Sequence, residues 1–124
     1  MAAQESQQKL QALSDEYQDL QSELQGIVAA RQKLESQQQE NKNVQKEFSS
    51  LADDANIYKL VGPVLLKQET AEAKSTVDGR LDFIEKEIKR VEGQIGSIQE
   101  KSEGKKMEIF QLQNQMQQTQ QGAA

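Results

Sequence analysis

The chain has 124 residues, enough for one small domain, of which only 35% are hydrophobic and 4% aromatic. That is too little apolar matter for a compact core, and the absence of Cys and His excludes disulfide frameworks, thiolate metal sites and imidazole acid–base chemistry. The net charge is −5, with ten acidic and five basic residues in 1–56 against ten of each in 57–124, which argues against nucleic acid as the main partner. No long apolar run is present to span a membrane, and the opening Met1–Leu10 lacks the apolar centre of a signal peptide.

The first predicted element is a helix over residues 4–54. Apolar residues recur at Leu10, Leu13, Tyr17, Leu20, Leu24, Ile27 and Leu34, in alternating steps of three and four and a final step of seven. That is the narrow seam of a coiled coil rather than the broad stripe of a globular helix. Past Leu34 the seam is expected to shift phase and continue as Asn41, Val44, Phe48, Leu51 and Ala55, in the manner of a three-residue stammer. Arg31 and Gln38 fall at seam positions of the earlier phase, so the middle of the helix is expected to pack weakly. A helix of this length is about 75 Å long. The run Asp53-Asp54-Ala55-Asn56 is the expected exit.

The helical period then disappears. The stretch Ile57-Tyr58-Lys59-Leu60-Val61-Gly62-Pro63-Val64-Leu65-Leu66-Lys67-Gln68 is rich in β-branched and aliphatic residues on both sides of a Gly-Pro turn signal. It reads as two short strands, Ile57–Val61 and Val64–Gln68, forming a β-hairpin. A lone hairpin is marginally stable in water, and its outer edges carry backbone groups that invite another chain. The hairpin is therefore the expected site of oligomerisation.

The last predicted element is a helix over residues 71–120. Its seam runs through Val77, Leu81, Ile84, Ile88, Val91, Ile95 and Ile98, then Ser102 and Lys105, then Ile109, Leu112 and Met116. Steps alternate four and three throughout, a specific coiled-coil signal. Gly79, Gly93, Gly96 and Gly104 all fall on outer positions, where they soften the helix without spoiling its packing face. The fold class is thus mainly α: a long antiparallel two-helix coiled coil with a central β-hairpin, as a single domain over 1–124.

Catalysis finds no support in this pattern. Carboxylate pairs such as Asp15/Asp19 and Glu85/Glu92 lie on helices with no cleft to desolvate them, and there is no Gly-rich phosphate loop. No enzymatic activity, cofactor or metal is expected. A structural coiled-coil spacer or scaffold, dimerising through its hairpin, accounts equally well for the heptads and the acidity. It does not account for the strand-forming sequence at mid-chain.

The string Ile57 to Gln68 resembles the central motif of β-class prefoldin subunits. The continuations Arg80-Leu81-Asp82-Phe83-Ile84 and Glu87-Ile88-Lys89-Arg90 look most like a eukaryotic member of that class. The resemblance implies a cytoplasmic heterohexamer of α- and β-class prefoldin subunits, whose hairpins close into an oligomeric β-barrel platform from which the coiled coils hang. It also implies capture of non-native clients of the actin and tubulin type at the coil tips, and delivery to the cytosolic chaperonin without ATP. Neither nucleic acid nor membrane is an expected partner. On this chain the client-binding tip falls on Leu10, Leu13 and Tyr17 of the first helix and Ile109, Leu112 and Met116 of the second, with Met107 and Phe110 off the seam. Ser102 and Lys105 interrupt the seam just before the tip, so fraying there is expected to expose these side chains.

Overall fold

A computed structural model describes residues 2–51, 57–61 and 63–122. Its elements in chain order are α1 (Ala2–Ser50), β1 (Ile57–Val61), β2 (Val64–Gln68) and α2 (Thr70–Gly122). Both helices run without a break, for 49 and 53 residues. Their interiors are free of proline and rich in Gln, Glu, Lys, Leu and Ala, which lose little side-chain freedom in a helix.

The helix ends differ slightly from the ranges read in the sequence. α1 closes at Ser50, where Ser49 Oγ donates to the Lys46 carbonyl at 2.7 Å and Ser50 Oγ to the Glu47 carbonyl at 2.8 Å. The amide of Leu51 donates to the Phe48 carbonyl at 3.3 Å, a tightened final turn that takes up another terminal carbonyl. The exit expected at Asp53–Asn56 lies outside the described residues. α2 starts at Thr70, with Glu72 in its first turn, where a carboxylate complements the helix dipole.

Contacts group the chain into two compact units, Met1–Ala30 with Val91–Ala124, and Arg31–Arg90. In the first unit the helices run antiparallel: Glu16 reaches Lys105, and Gln21, further along α1, reaches Ser102, earlier on α2. The second unit holds the strand pair and the adjoining helix segments, where Gln45 Nε2 donates to Asp78 Oδ1 at 2.7 Å.

The α2 seam is as regular in space as in sequence. Val77, Ile84, Val91 and Ile98, seven residues apart, are 4–7% exposed, and Leu81, Ile88 and Ile95 between them are half-buried. The seam extends one step further toward the strands, to buried Ala73. Each buried aliphatic side chain contributes about 1.5–3 kcal/mol.

The seam of α1 departs from expectation. It holds a single phase through half-buried Arg31, Leu34, Gln38, Asn41 and Phe48. Val44 and Leu51, expected in a shifted seam, are 36% and 38% exposed, and Ala55 lies outside the described residues. There is no stammer in this stretch. The unbroken apolar row of α2 sets the phase, and α1 follows it by accepting polar side chains at seam positions. Arg31, half-buried at this position, sets its guanidinium 3.2 Å from Glu35 Oε1.

Gly79, Gly93, Gly96 and Gly104 are all exposed, and a Cβ built on any of them meets nothing within 4 Å. They occupy outer positions and leave the packing face intact.

Candidate functional site

Two regions of the chain carry the features that the sequence singles out: the strand pair and the end of the first unit. β1 and β2 are antiparallel, with Ile57 opposite Gln68, Lys59 opposite Leu66 and Val61 opposite Val64. The connection is therefore the two residues Gly62 and Pro63, as short as a hairpin link becomes. Among the described residues the sheet has only these two strands. Each strand thus has one edge outside the ladder, a template for strand addition. Val64 is 53% exposed, and Pro63 and Lys67 are exposed as well. The side chains of Ile57, Tyr58, Lys59, Leu60, Val61, Leu65, Leu66 and Gln68, and the Gly62 turn position, lie outside what is described.

At the other region, Ala2, Ala3 and Ser6 of α1 and Met116 and Thr119 of α2 line one shallow groove of about 150 Å³, so the start of α1 and the end of α2 meet. The expected tip residues fall into two groups. Leu13 and Leu112 are buried at 6% and 9%, and Leu10, Tyr17, Ile109 and Met116 are half-buried in the seam between the helices. Met107 and Phe110 stand outside it, 53% and 60% exposed. Only this second pair offers apolar surface without opening the coil.

The break expected at Ser102 and Lys105 is bridged rather than open. Ser102 is 5% exposed and accepts a hydrogen bond from Gln21 Nε2 at 2.5 Å. Lys105 Nζ lies 2.8 Å from Glu16 Oε2 and 4.0 Å from Glu108 Oε2. The hydrogen bond to Glu16 is the main reason that the Lys105 ammonium holds its proton above the usual lysine range. Polar side chains at two consecutive seam positions are thus satisfied across the helices. The heptad reveals where such residues lie, but their partners on α1 follow from the alignment of two helices, which heptads do not specify.

One exposed aromatic was not singled out as a site by the periodicity. Phe83, between the seam residues Leu81 and Ile84, is 65% exposed. Its off-seam position was the available signal. No helix among the described residues is long and apolar enough to cross a membrane.

Two long helices joined by a short strand pair define the class, a helix–hairpin–helix coiled-coil chain. The family described as prefoldin subunit matches residues 11–119. The chain is 50% identical over 102 residues to prefoldin subunit 6 of Saccharomyces cerevisiae, covering 82% of this chain and 90% of that one. It is 46% identical over 115 residues to prefoldin subunit 6 of Homo sapiens, covering 92% and 88%. Among solved structures, the prefoldin beta subunit from Thermococcus strain KS-1 is similar with a TM-score of 0.77 and 28% identity, over 82% of this chain and 89% of that one. The chain belongs to the prefoldin family.

Proposed function

We propose that the chain serves as a β-class subunit of the hexameric prefoldin co-chaperone, in the subunit 6 position. Its hairpin joins those of other α- and β-class prefoldin subunits in a β-barrel platform, which removes the open strand edges. Its tip captures non-native polypeptides of the actin and tubulin class in the cytoplasm and passes them to the cytosolic chaperonin without ATP. The assembly half of this reading is supported by the relatives named prefoldin subunit 6 and by a two-stranded pair with both outer edges available.

The observation that carries the capture half is the exposure of Met107 and Phe110 in the unit that holds both outer helix ends. An unbranched thioether and an aromatic ring adapt to varied apolar segments. One such pair binds weakly, and several tips sharing a client multiply the effect. Leu10, Leu13, Tyr17, Ile109, Leu112 and Met116 contribute when the end of the coil opens.

The test uses the complex assembled from this chain and its co-expressed partners. Met107→Ser with Phe110→Ser is expected to leave the native mass of about six small subunits unchanged and to weaken suppression of aggregation of a denatured client. A homodimer with no related partners would overturn the assignment in favour of a coiled-coil spacer.

A further inference from the structure

The chain has no Cys, so its three methionines carry all of its sulfur. Reversible oxidation by peroxides concentrates on thiol and thioether sulfurs, and here it can fall only on methionine. Met107 and Met116 both belong to the unit that holds the outer helix ends, but their settings differ. Met116 is half-buried in the seam and lines the shallow groove with Ala2, Ala3 and Ser6. Met107 stands off the seam, 53% exposed, three residues before Phe110 and on the same face of α2. A helical side chain lies over the turn that precedes its own Cα. One turn before Met107 is Gly104, which has no side chain, and a Cβ built there meets nothing within 4 Å, so this approach to the thioether is open. The buried seam from Ala73 to Leu112 contains no sulfur at all.

We infer that Met107 is an oxidative modification site, at which hydrogen peroxide converts the thioether to the sulfoxide and so weakens client capture while the assembled particle stays intact. The inference rests on the capture reading above. In the step, a sulfur lone pair attacks one peroxide oxygen; the O–O bond breaks and an S–O bond forms. The transferred hydroxyl gives its proton to the departing hydroxide, so sulfur is oxidised by two electrons and peroxide is reduced to water. The sulfoxide is polar, and covering it with an apolar client segment strips it of water without supplying a hydrogen bond. The coil is spared because Met107 makes no part of the seam. At Met116 the same change falls inside the coil, where half-burial slows the approach of peroxide. The change is reversible: two thiols reduce the sulfoxide to the thioether and leave as a disulfide, with the oxygen released as water.

The experiment treats the complex assembled from this chain and its partners with hydrogen peroxide, maps sulfoxide by peptide mass spectrometry, and measures suppression of aggregation of a denatured client. A matched complex carries Met107→Leu, which keeps the apolar volume and has no sulfur. Sulfoxide is expected at Met107 before Met116, at unchanged native mass, and the amount of complex needed for suppression is expected to rise about threefold. The Met107→Leu complex, with the same partners, is expected to be spared that rise, which separates Met107 from the partners' own methionines. Met107→Gln is expected to reproduce the rise without peroxide, and methionine sulfoxide reductases for both epimers, supplied with dithiothreitol, are expected to reverse it in the oxidised complex. Earlier oxidation of Met116, an equal loss in the Met107→Leu complex, or unchanged capture at full conversion of Met107 would overturn the proposal. Unchanged capture by Met107→Ser with Phe110→Ser in the absence of peroxide would instead overturn the capture reading, and this one with it.

Discussion

Gln21 donates its side-chain amide to the Ser102 hydroxyl at 2.5 Å, at a point where the α2 seam, apolar from Ala73 to Ile98, first becomes polar. The contact fixes which residue of α1 faces which residue of α2, since a slip of one heptad would leave buried Ser102 without this partner. Removing one member, as in Ser102→Ala, is expected to cost about 1 kcal/mol. Replacing both, as in Gln21→Leu with Ser102→Leu, is expected to recover that loss or exceed it, because no polar group is then left stranded. A double-mutant cycle read by thermal unfolding of the assembled complex checks the coupling.

The ion pairs make a pH prediction with a definite sign. Lys105 holds its proton above the ordinary lysine range, chiefly through its hydrogen bond to Glu16. Its contribution is complete below about pH 10.4, the ordinary lysine value, and is lost as pH rises through the elevated one. Glu87 titrates below the ordinary carboxylate range because Arg90 Nη2 donates to it at 2.9 Å. Its contribution is present above the ordinary value and is lost as pH falls through the lowered one. Melting temperature is therefore expected to be flat around neutrality, with Lys105→Gln reducing the alkaline decline and Arg90→Gln the acid one. Each group pairs with an exposed partner, Arg90 or Glu16, within reach of water, so both effects are expected to be small and to shrink in high salt.

Buried and exposed apolar residues are expected to separate cleanly by readout. Ile98, 6% exposed, lies in the seam, and Ile98→Ala is expected to destabilise by about 2–5 kcal/mol. Phe110, 60% exposed, is expected to tolerate Ala within about 0.5 kcal/mol while client capture weakens. Unfolding curves and an aggregation assay on the same two variants check this.

The glycines of α2 predict a gain. A Cβ at Gly93 or Gly96 meets nothing within 4 Å, so Gly93→Ala and Gly96→Ala are each expected to stabilise by about 1 kcal/mol through helix propensity and reduced freedom of the unfolded chain. Thermal unfolding of the assembled complex measures it. No gain from either variant would mean that the neighbouring helix turns are already loosely held.

Much of the architecture was legible because its period is simple. The step pattern from Val77 to Met116 located α2 and named its buried side chains apart from Ala73, including the polar Ser102, with half-buried Lys105 at the next seam position. Strands now stand at 57–61 and 64–68, in the stretch where that period vanishes around Gly62-Pro63. The phase of α1 past Leu34 was not legible. Apolar Val44 and Leu51 pointed to a shifted seam, and only packing against α2 shows that polar Gln38 and Asn41 hold the inner positions. The burial of the proposed client-tip residues was not legible: hydropathy does not separate buried Leu13 and Leu112 from exposed Met107 and Phe110.

By itself the sequence determined that this protein makes two long helices around a short extended segment, because one proline, abundant helix formers and a heptad row of aliphatic residues are local properties of a chain. Pairings across the helices were decided only in the tertiary structure. That Gln21 meets Ser102, that Glu16 meets Lys105, and that Arg80 and Phe83 border an open groove with Gln37 and Asn41 all depend on the alignment of two distant segments. A heptad repeats every seven residues and is nearly blind to a slip of seven, so only the summed fit of all seam contacts, polar ones included, selects one alignment.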